Sequence, residues 1–302
     1  MKRLESHPQF TRIISEITME LETIDFNSPD APKKFVESLH QTGFGVLSNH
    51  PLATSILDRF YAQWLEAFFN QDEEFKAQYA YLQDTQHGFF SSKTSETAKG
   101  HTIPDLKEFF QFYPKHKTLP PELEAITKEY FECTNTLAVQ LLQWVEEFTP
   151  QDIAQHYSQP LSSMIENSEN TMLRVLHYPP MTGEEQPGAI RAAAHEDICL
   201  LTILPASNEP GLQVLGNDGK WIDVPCNFGH LIINIGDMLQ EASNGYFPST
   251  THRVINPTGK RSNTSRVSLP LFLHPKNDVV LSSRYTSQSF LTERLTELGL
   301  LS

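Results

Sequence analysis

The chain has 302 residues, and its 23 Lys and Arg stand against 37 Asp and Glu, which gives a formal net charge of −14. A field of that sign repels polyanions, so the composition argues against non-specific binding of nucleic acid. Hydrophobic residues make up 39% and charged residues 20%, which is ordinary globular usage and excludes a fibre, a coiled coil or a disordered chain. At this length we expect one large domain or two fused parts.

Cysteine usage and hydropathy bear on the compartment. Cys133, Cys199 and Cys226 are too few for a disulfide framework, and they lack the C-x-x-C spacing that indicates a thiolate zinc site. Residues 1–10 contain no apolar signal segment, and no run approaches the ~18 apolar residues of a membrane span. The sequence therefore predicts a soluble cytoplasmic protein without a membrane partner.

Residues 1–170 predict a mixed, mostly helical region that packs on the core. Short strand, helix and strand patterns open it, at residues 24–26, 32–40 and 43–47. From Ile56 to Phe68 a large apolar residue recurs every fourth position, which is one face of a helix. Pro121 suits the first turn of a further helix, whose apolar period continues to Phe148.

Residues 171–302 have a different character. Short β-type runs are separated by Gly, Pro and Asn, at residues 172–177, 198–204, 211–215, 231–235 and 266–273. Closely spaced short strands with turn residues between them are typical of a β-sandwich or jelly roll. Residues 287–300 predict a terminal helix with Phe290, Leu291, Leu295 and Leu298 on one side.

A metal-ligand pattern stands at the start of one predicted strand. His195 and Asp197 are two residues apart, and side chains alternate along a strand, so both are expected on one face. That pair alone is common on protein surfaces. His252 follows 55 residues after Asp197, and two histidines with one carboxylate form the facial set used by non-haem Fe(II) that activates O₂.

A second pair follows on the predicted strand 266–273. Arg266 offers a planar donor fork suited to a carboxylate, and Ser268, two residues on, adds a hydroxyl donor on the same face. Together these two residues could hold the distal carboxylate of 2-oxoglutarate while its keto acid end binds the metal.

With these motifs the chain resembles the iron/2-oxoglutarate-dependent oxygenases of the isopenicillin N synthase-like group. In the second half the likeness rests on His195-x-Asp197, Leu201-Thr202-Ile203-Leu204, Gly211-Leu212-Gln213-Val214, Trp221, Asn234-x-Gly236-Asp237, Asn244-Gly245, His252-Arg253-Val254 and Arg266-x-Ser268. In the first half it rests on Ile24-Asp25-Phe26, Gly43-Phe44-Gly45-Val46, Asn49-His50 and Asp105-x-Lys107-Glu108. The likeness covers nearly the whole chain.

The resemblance implies a mainly β fold, in which a double-stranded β-helix (jelly roll) core carries flanking helices. It also implies Fe(II) at His195, Asp197 and His252, and 2-oxoglutarate as co-substrate at Arg266 and Ser268. A small-molecule substrate would be hydroxylated, desaturated or closed into a ring with O₂, with release of succinate and CO₂. Ascorbate would serve as an optional reductant.

Departures from the family pattern surround Tyr178. Many relatives carry Asn-Tyr-Tyr-Pro here, whereas this chain has Leu176-His177-Tyr178-Pro179. Tyr178 matches the second Tyr, which helps to hold the co-substrate, but either His177 or Tyr178 could instead meet the substrate. Arg191 is a candidate for an acidic substrate, against the commoner interpretation of a solvated loop residue.

Other polar residues predict structure rather than chemistry. Cys199 is expected as a buried thiol, with lining of the site as the alternative, and Asn234 and Asp237 have the pattern of turn residues around Gly236. Three other functions stay open. They are an isopenicillin N synthase-type oxidase that does not consume 2-oxoglutarate, a zinc hydrolase and a non-catalytic metal-binding jelly roll.

Overall fold

The computed structural model of the chain describes residues 21–92, 105–116, 118–207, 209–225, 227–259 and 264–299. Its helices are α1 (Ala31–Thr42), α2 (Thr54–Trp64), α3 (Glu73–Ala77), α4 (Pro121–Phe148), α5 (Gln151–Ala154), α6 (Leu161–Ile165), α7 (Asp237–Ala242) and α8 (Ser287–Glu297). Its strands are β1 (Thr23–Asp25), β2 (Phe44–Ser48), β3 (Gly88–Phe90), β4 (Glu108–Phe112), β5 (Met172–Tyr178), β6 (Ala192–His195), β7 (Leu201–Pro205), β8 (Leu212–Leu215), β9 (Trp221–Asp223), β10 (Leu231–Ile235), β11 (His252–Val254), β12 (Arg266–Ser268) and β13 (Leu271–Phe272).

Two β-sheets form the centre of the molecule. The large sheet runs β1-β2-β10-β7-β13-β5-β4-β3, with β12 paired to β5 beside this path. The small sheet runs β6-β11-β8-β9. From β5 to β12 the chain passes back and forth between the two sheets, which is the winding of a double-stranded β-helix. The predicted jelly-roll core with flanking helices is therefore confirmed.

The N-terminal half contributes strands to this core as well as helices around it. β2 pairs antiparallel with β10, and β4 pairs antiparallel with β5. Because both halves share the large sheet, no break in the sheet marks residue 170, and a boundary there stays a prediction.

The two faces of the large sheet have different surroundings. Along β5 and β12, Val175 and Val267 point toward the main apolar core, in which α4 is packed. Tyr130 of α4 fixes that packing by donating its hydroxyl to the carbonyl of Leu269, at 2.9 Å. Tyr178 and Leu176 point the opposite way, into a smaller cluster that lines the space between the sheets. This alternation is why one strand both anchors the helical layer and faces the site.

Two predicted strands differ from the observed ones for identifiable reasons. The strand predicted from residue 198 begins only at Leu201, because the carbonyls of residues 197–200 accept hydrogen bonds from the start of α7. The strand predicted over residues 266–273 is divided into β12 and β13, with Pro270, which has no N–H to donate, between them.

The predicted helices are found close to their expected bounds. The fourfold apolar repeat forms α2 and continues into a π-helical turn at Leu65–Phe69, and Pro121 is the first residue of α4. The terminal helix ends at Glu297, and its predicted end at residue 300 lies outside the described residues. Leu298 is the residue that follows the helix, and it is exposed. Within the described segments, no helix has both the length and the apolar character that crossing a membrane requires.

Candidate metal and co-substrate site

The three predicted ligands come together at one end of the small sheet. His195 is the last residue of β6, His252 is the first of β11, and the two lie directly opposite each other in the register of this antiparallel pair. Asp197 lies two residues past β6, in the turn that leads to β7. The expectation that Asp197 shares a strand face with His195 was wrong, and the turn brings its carboxylate between the two imidazoles instead.

The geometry of this cluster fits a single metal ion. Asp197 Oδ1 lies 3.8 Å from His195 Nε2, and Asp197 Oδ2 lies 3.8 Å from His252 Nε2. One donor atom from each residue lies within 4.8 Å of the other two. Asp197 and His252 are buried, whereas 38% of the His195 side chain is accessible, so the cluster opens on the His195 side. Two imidazoles and one carboxylate with an open side are the donor set suited to non-haem Fe(II).

Hydrogen bonds select the imidazole tautomers. His195 Nδ1 donates to the carbonyl of Ala193 at 2.7 Å, and His252 Nδ1 donates to the carbonyl of Thr250 at 3.1 Å. A carbonyl only accepts, so each Nδ1 carries the proton and each Nε2 keeps its lone pair for a metal. Both acceptors stand two residues before the histidine that they orient, so local backbone geometry prepares each ring.

Two further side chains orient the Asp197 carboxylate. Thr202 donates its hydroxyl to Oδ2 at 2.5 Å, and Asn234 donates its amide to the same oxygen at 2.8 Å. Thr202 and Asn234 are partners in the register of β7 and β10. The interpretation of Asn234 as a turn residue was wrong, because it is buried inside β10. A lone polar residue within an apolar strand was the sequence signal that identifies both residues.

The charge state of the cluster follows from its surroundings. Burial raises the pKa of the Asp197 carboxyl, but His252, His195 and the two hydrogen bonds outweigh it, so this pKa lies below its ordinary value. Burial and the neighbouring His252 lower the pKa of His195. At neutral pH the cluster therefore presents a carboxylate and a neutral His195 ring, which are the forms that bind a divalent cation.

The turn that carries Asp197 is fixed by the start of α7. The backbone N–H of Asp237 donates to the carbonyl of Asp197 at 2.7 Å. A Cβ at Gly236 would lie 2.2 Å from the carbonyl oxygen of Cys199, so only glycine permits this close approach. Cys199 is buried with its Sγ 3.3 Å from the Thr202 hydroxyl, and burial raises the pKa of its thiol. The prediction of a buried thiol agrees with this position.

Arg266, Ser268 and Tyr178 meet where β12 pairs with β5. Arg266 lies opposite Tyr178, and Ser268 lies opposite Leu176. Arg266 Nε donates to Ser268 Oγ at 3.2 Å, and its Nη1 donates to the carbonyl of Glu209 at 3.1 Å. The guanidinium carbon lies 5.8 Å from the centre of the Tyr178 ring. All three predicted co-substrate residues are buried and face the space between the sheets.

Comparison with known proteins agrees with this geometry. A profile described as the 2OG-Fe(II) oxygenase superfamily matches residues 169–275, and one described as the N-terminal region of non-haem dioxygenases in morphine synthesis matches residues 20–132. The crystal structure of a Shewanella oneidensis protein designated an oxygenase is 55% identical, with a TM-score of 0.84, over 93% of this chain and 100% of that one. The chain belongs to the 2OG-Fe(II) oxygenase superfamily.

Two further relatives extend the comparison. The crystal structure of a 2OG-Fe(II) oxygenase family protein of Caulobacter crescentus is 30% identical, with a TM-score of 0.74, over 93% of this chain and 100% of that one. Proline hydroxylase buaE of Petromyces alliaceus is 28% identical over 291 residues, which cover 86% of this chain and 89% of that protein. The chain is an Fe(II)- and 2-oxoglutarate-dependent oxygenase that acts on small molecules.

In this oxygenase the Asp105-x-Lys107-Glu108 motif supports the site from two directions. Asp105 accepts from the backbone N–H of Ala193 at 3.0 Å and from Lys107 Nζ at 2.7 Å, which ties the motif to β6. Glu108 points the other way and accepts from His177 Nδ1 at 2.8 Å. These bonds show why acidic and basic residues occur together in this otherwise apolar stretch.

His177 and Arg191 are placed differently from their simplest sequence interpretations. His177 lies opposite Val267 and stacks on Phe69 at 4.7 Å, so it faces the helical layer and not the space that Tyr178 faces. Arg191 is 1% exposed, so its interpretation as a solvated loop residue was wrong. Its guanidinium carbon lies 5.6 Å from the centre of the Tyr178 ring.

Proposed function

We propose that His195, Asp197 and His252 are the Fe(II) ligands of this oxygenase. The observation that carries the proposal is the set of hydrogen bonds described above, which occupies both Nδ1 atoms and leaves both Nε2 atoms directed at Asp197. Thr202 and Asn234 hold one carboxylate oxygen, so that the other is available to a metal. Such outer partners typically determine ligand orientation and metal affinity.

We propose further that Arg266, Ser268 and Tyr178 bind 2-oxoglutarate at the end away from the metal. Arg266 presents a buried fork of donors, and the Ser268 hydroxyl fixes the orientation of its Nε. When bound, the iron and 2-oxoglutarate supply the oxidising chemistry, in which the keto acid becomes succinate and CO₂. The protein residues orient the co-substrate and exclude water, since both sheets bury this space.

The substrate side of the site is supported by a column of stacked side chains. The Arg174 guanidinium carbon lies 4.5 Å from the centre of the Phe109 ring, which stacks on Phe90 at 4.6 Å, and Phe90 stacks on Tyr81 at 4.1 Å. Phe90, Phe109 and Tyr178 belong to one apolar cluster. We propose that this apolar cluster contacts the apolar part of a small substrate, which is then hydroxylated, desaturated or closed into a ring.

Titration of 2-oxoglutarate into the anaerobic Fe(II) protein tests the co-substrate assignment. We expect a metal-to-ligand charge-transfer band that saturates with 2-oxoglutarate. A screen of small molecules under Fe(II), O₂ and ascorbate, with succinate measured by NMR, then identifies the substrate. Absence of the band at millimolar 2-oxoglutarate would instead favour an oxidase of the isopenicillin N synthase type, for which an oxygen electrode would record O₂ consumption in samples that form no succinate.

The prediction of where the enzyme is located depends on its cysteines. Cys133 and Cys199 are free cysteines, which fits a reducing compartment. A cytoplasmic location stays a prediction, and fractionation of cells that express the chain tests it.

A further inference from the structure

Arg191 carries a buried charge whose hydrogen-bonding capacity is mostly unused. The residue is 1% exposed, and its Nη2 donates to the carbonyl of Thr264 at 3.2 Å. Its Nε and Nη1 are buried and have no hydrogen-bond partner among the described residues. Leaving a buried charged group without partners is costly, so a native structure that keeps one indicates a ligand that supplies them.

A second guanidinium lies near the same tyrosine ring. Tyr178 has the Arg191 guanidinium carbon 5.6 Å from its ring centre and the Arg266 guanidinium carbon 5.8 Å from the same centre. Burial lowers the pKa of Arg191, and the positive charge of Arg266 lowers it further. Two like charges held together in a buried space repel each other, and an anion between them would remove that repulsion.

The protein itself offers one neighbouring negative group. The Glu209 carboxylate acts on Arg191 from a distance and raises its pKa, but the two side chains are not hydrogen-bonded to each other. Oε2 of Glu209 is itself buried and has no hydrogen-bond partner in the described part of the chain. A structural pair between Arg191 and Glu209 is therefore the competing explanation, and the experiment below separates it from a ligand site.

We propose that Arg191 is a second cationic anchor for the distal carboxylate of 2-oxoglutarate. Together with Arg266 it holds that carboxylate near the Tyr178 ring, and its Nε and Nη1 are the donors. The inference rests on the proposed co-substrate site and adds to it a residue that determines specificity. A distal carboxylate accepts hydrogen bonds from Arg191 as well as from Arg266, whereas a methyl group in its place accepts none. The site therefore selects a dicarboxylic keto acid over its monocarboxylic analogue.

Equilibrium binding to the anaerobic Fe(II) protein tests this with two ligands. The first is 2-oxoglutarate, and the second is 2-oxopentanoate, which has the same carbon chain with a methyl group in place of the distal carboxylate. We expect Arg191→Met to weaken 2-oxoglutarate binding by about 10- to 100-fold, the loss that follows when hydrogen bonds to a charged group are removed. Binding of 2-oxopentanoate should be unchanged. An equal loss for both ligands, or no loss for either, overturns the proposal.

Two control variants address charge and folding. Arg253→Met removes an arginine that stacks on Trp221 at 4.0 Å outside the site, and it should bind both ligands as the wild type does. Glu209→Gln should bind 2-oxoglutarate at least as tightly as the wild type, because a competing negative charge is lost. If it weakens binding by the same factor as Arg191→Met, the two residues form a structural pair and the proposal fails.

Thermal unfolding of the metal-free protein provides a readout that does not depend on the ligand. Arg191→Met should have a Tm equal to or above that of the wild type, because it removes a buried charge without a close partner. A marked fall in Tm would identify Arg191 as a structural residue and overturn the proposal. A wild type that binds Fe(II) but no 2-oxoglutarate overturns the proposed function as well, whereas normal wild-type binding that Arg191→Met does not alter overturns this inference alone.

Discussion

The metal end and the arginine end of the site differ in how their side chains are held before a ligand binds. At the metal end, each of His195, Asp197 and His252 makes a hydrogen bond that fixes its orientation and leaves a donor atom for the metal. At the arginine end, Arg191 and Arg266 bring two positive charges to one tyrosine ring. The proposed metal end is thus positioned before its ligand arrives, whereas at the arginine end Arg191 keeps two buried donors without a partner among the described residues.

The net negative charge of the protein acts in opposite directions at the two ends. The chain carries a formal net charge of −14, which favours approach of a divalent cation and opposes approach of a dianion. That field therefore favours binding at the metal end, where both histidines are oriented by nearby backbone carbonyls. The same negative field opposes binding of a dianion at the arginine end, so a strong local positive charge in a desolvated space is needed there to bind 2-oxoglutarate.

The largest effect is expected from removal of a metal ligand. His195→Ala, Asp197→Ala and His252→Ala should each abolish most Fe(II) binding, with a loss beyond the ~10- to 100-fold that is typical for outer partners. The fold should persist, because the jelly roll has its own apolar core. Anaerobic equilibrium binding of Fe(II) measures the loss, and Glu196→Ala, which removes the exposed neighbouring carboxylate, is the matched control. Near-normal affinity in any of the three variants would exclude that residue as a ligand.

Replacement of Arg266 tests whether the arginine end and the metal end bind their ligands independently. Arg266→Leu should weaken 2-oxoglutarate binding by about 3–5 kcal/mol, the usual cost of removing one member of a buried charge pair. At about 1.4 kcal/mol per tenfold, that is a hundred- to several-thousand-fold loss. Fe(II) affinity should stay at the wild-type value, since Arg266 does not touch the three ligands. Titration of the charge-transfer band gives the 2-oxoglutarate affinity, and anaerobic Fe(II) binding without 2-oxoglutarate gives the metal affinity. A parallel loss of Fe(II) affinity would show that the two ends are not independent.

The residues behind Asp197 test whether orientation matters at the metal end. Asn234→Ala and Thr202→Val each remove one hydrogen bond to Oδ2, and each should lower Fe(II) affinity by about 10- to 100-fold. Thr202→Ser keeps the hydroxyl and should retain the affinity. Calorimetric titration with Fe(II) or Mn(II) under argon measures the change. Equal affinities for Thr202→Val and Thr202→Ser would mean that the carboxylate is held by other contacts.

The smallest effect is expected at Ser268. Ser268→Ala removes one hydroxyl from the arginine end and should cost about 1–2 kcal/mol in 2-oxoglutarate binding, because a single hydrogen bond to a charged group is lost. The same titration used for Arg266→Leu measures it. A loss as large as that of Arg266→Leu would show that Ser268 acts mainly by holding the arginine, to whose Nε it is bonded.

The ligand set and the class of fold were both predicted from the sequence; the fold is confirmed, and the ligand set stays a prediction. His195, Asp197 and His252 were singled out because two histidines and one carboxylate suit few chemistries. The alternation of short strands and turns predicted a β-sandwich or jelly roll, and the family resemblance favoured the jelly roll. The start of α4 at Pro121 followed from local backbone preference alone. These features are local, or rest on residue types whose chemistry is narrow.

The side chains that orient the predicted ligands are identified by the folded structure and not by the sequence. Asn234 reaches Asp197 across the register of two strands, and Arg191 and Arg266 both lie near the Tyr178 ring although they come from different sheets. Neither arrangement has a fixed spacing along the chain, and an asparagine two residues before a glycine has the pattern of a turn until its strand is paired. Register and burial are properties of the assembled sheets, so the partners of each ligand could be identified only once the sheets were formed.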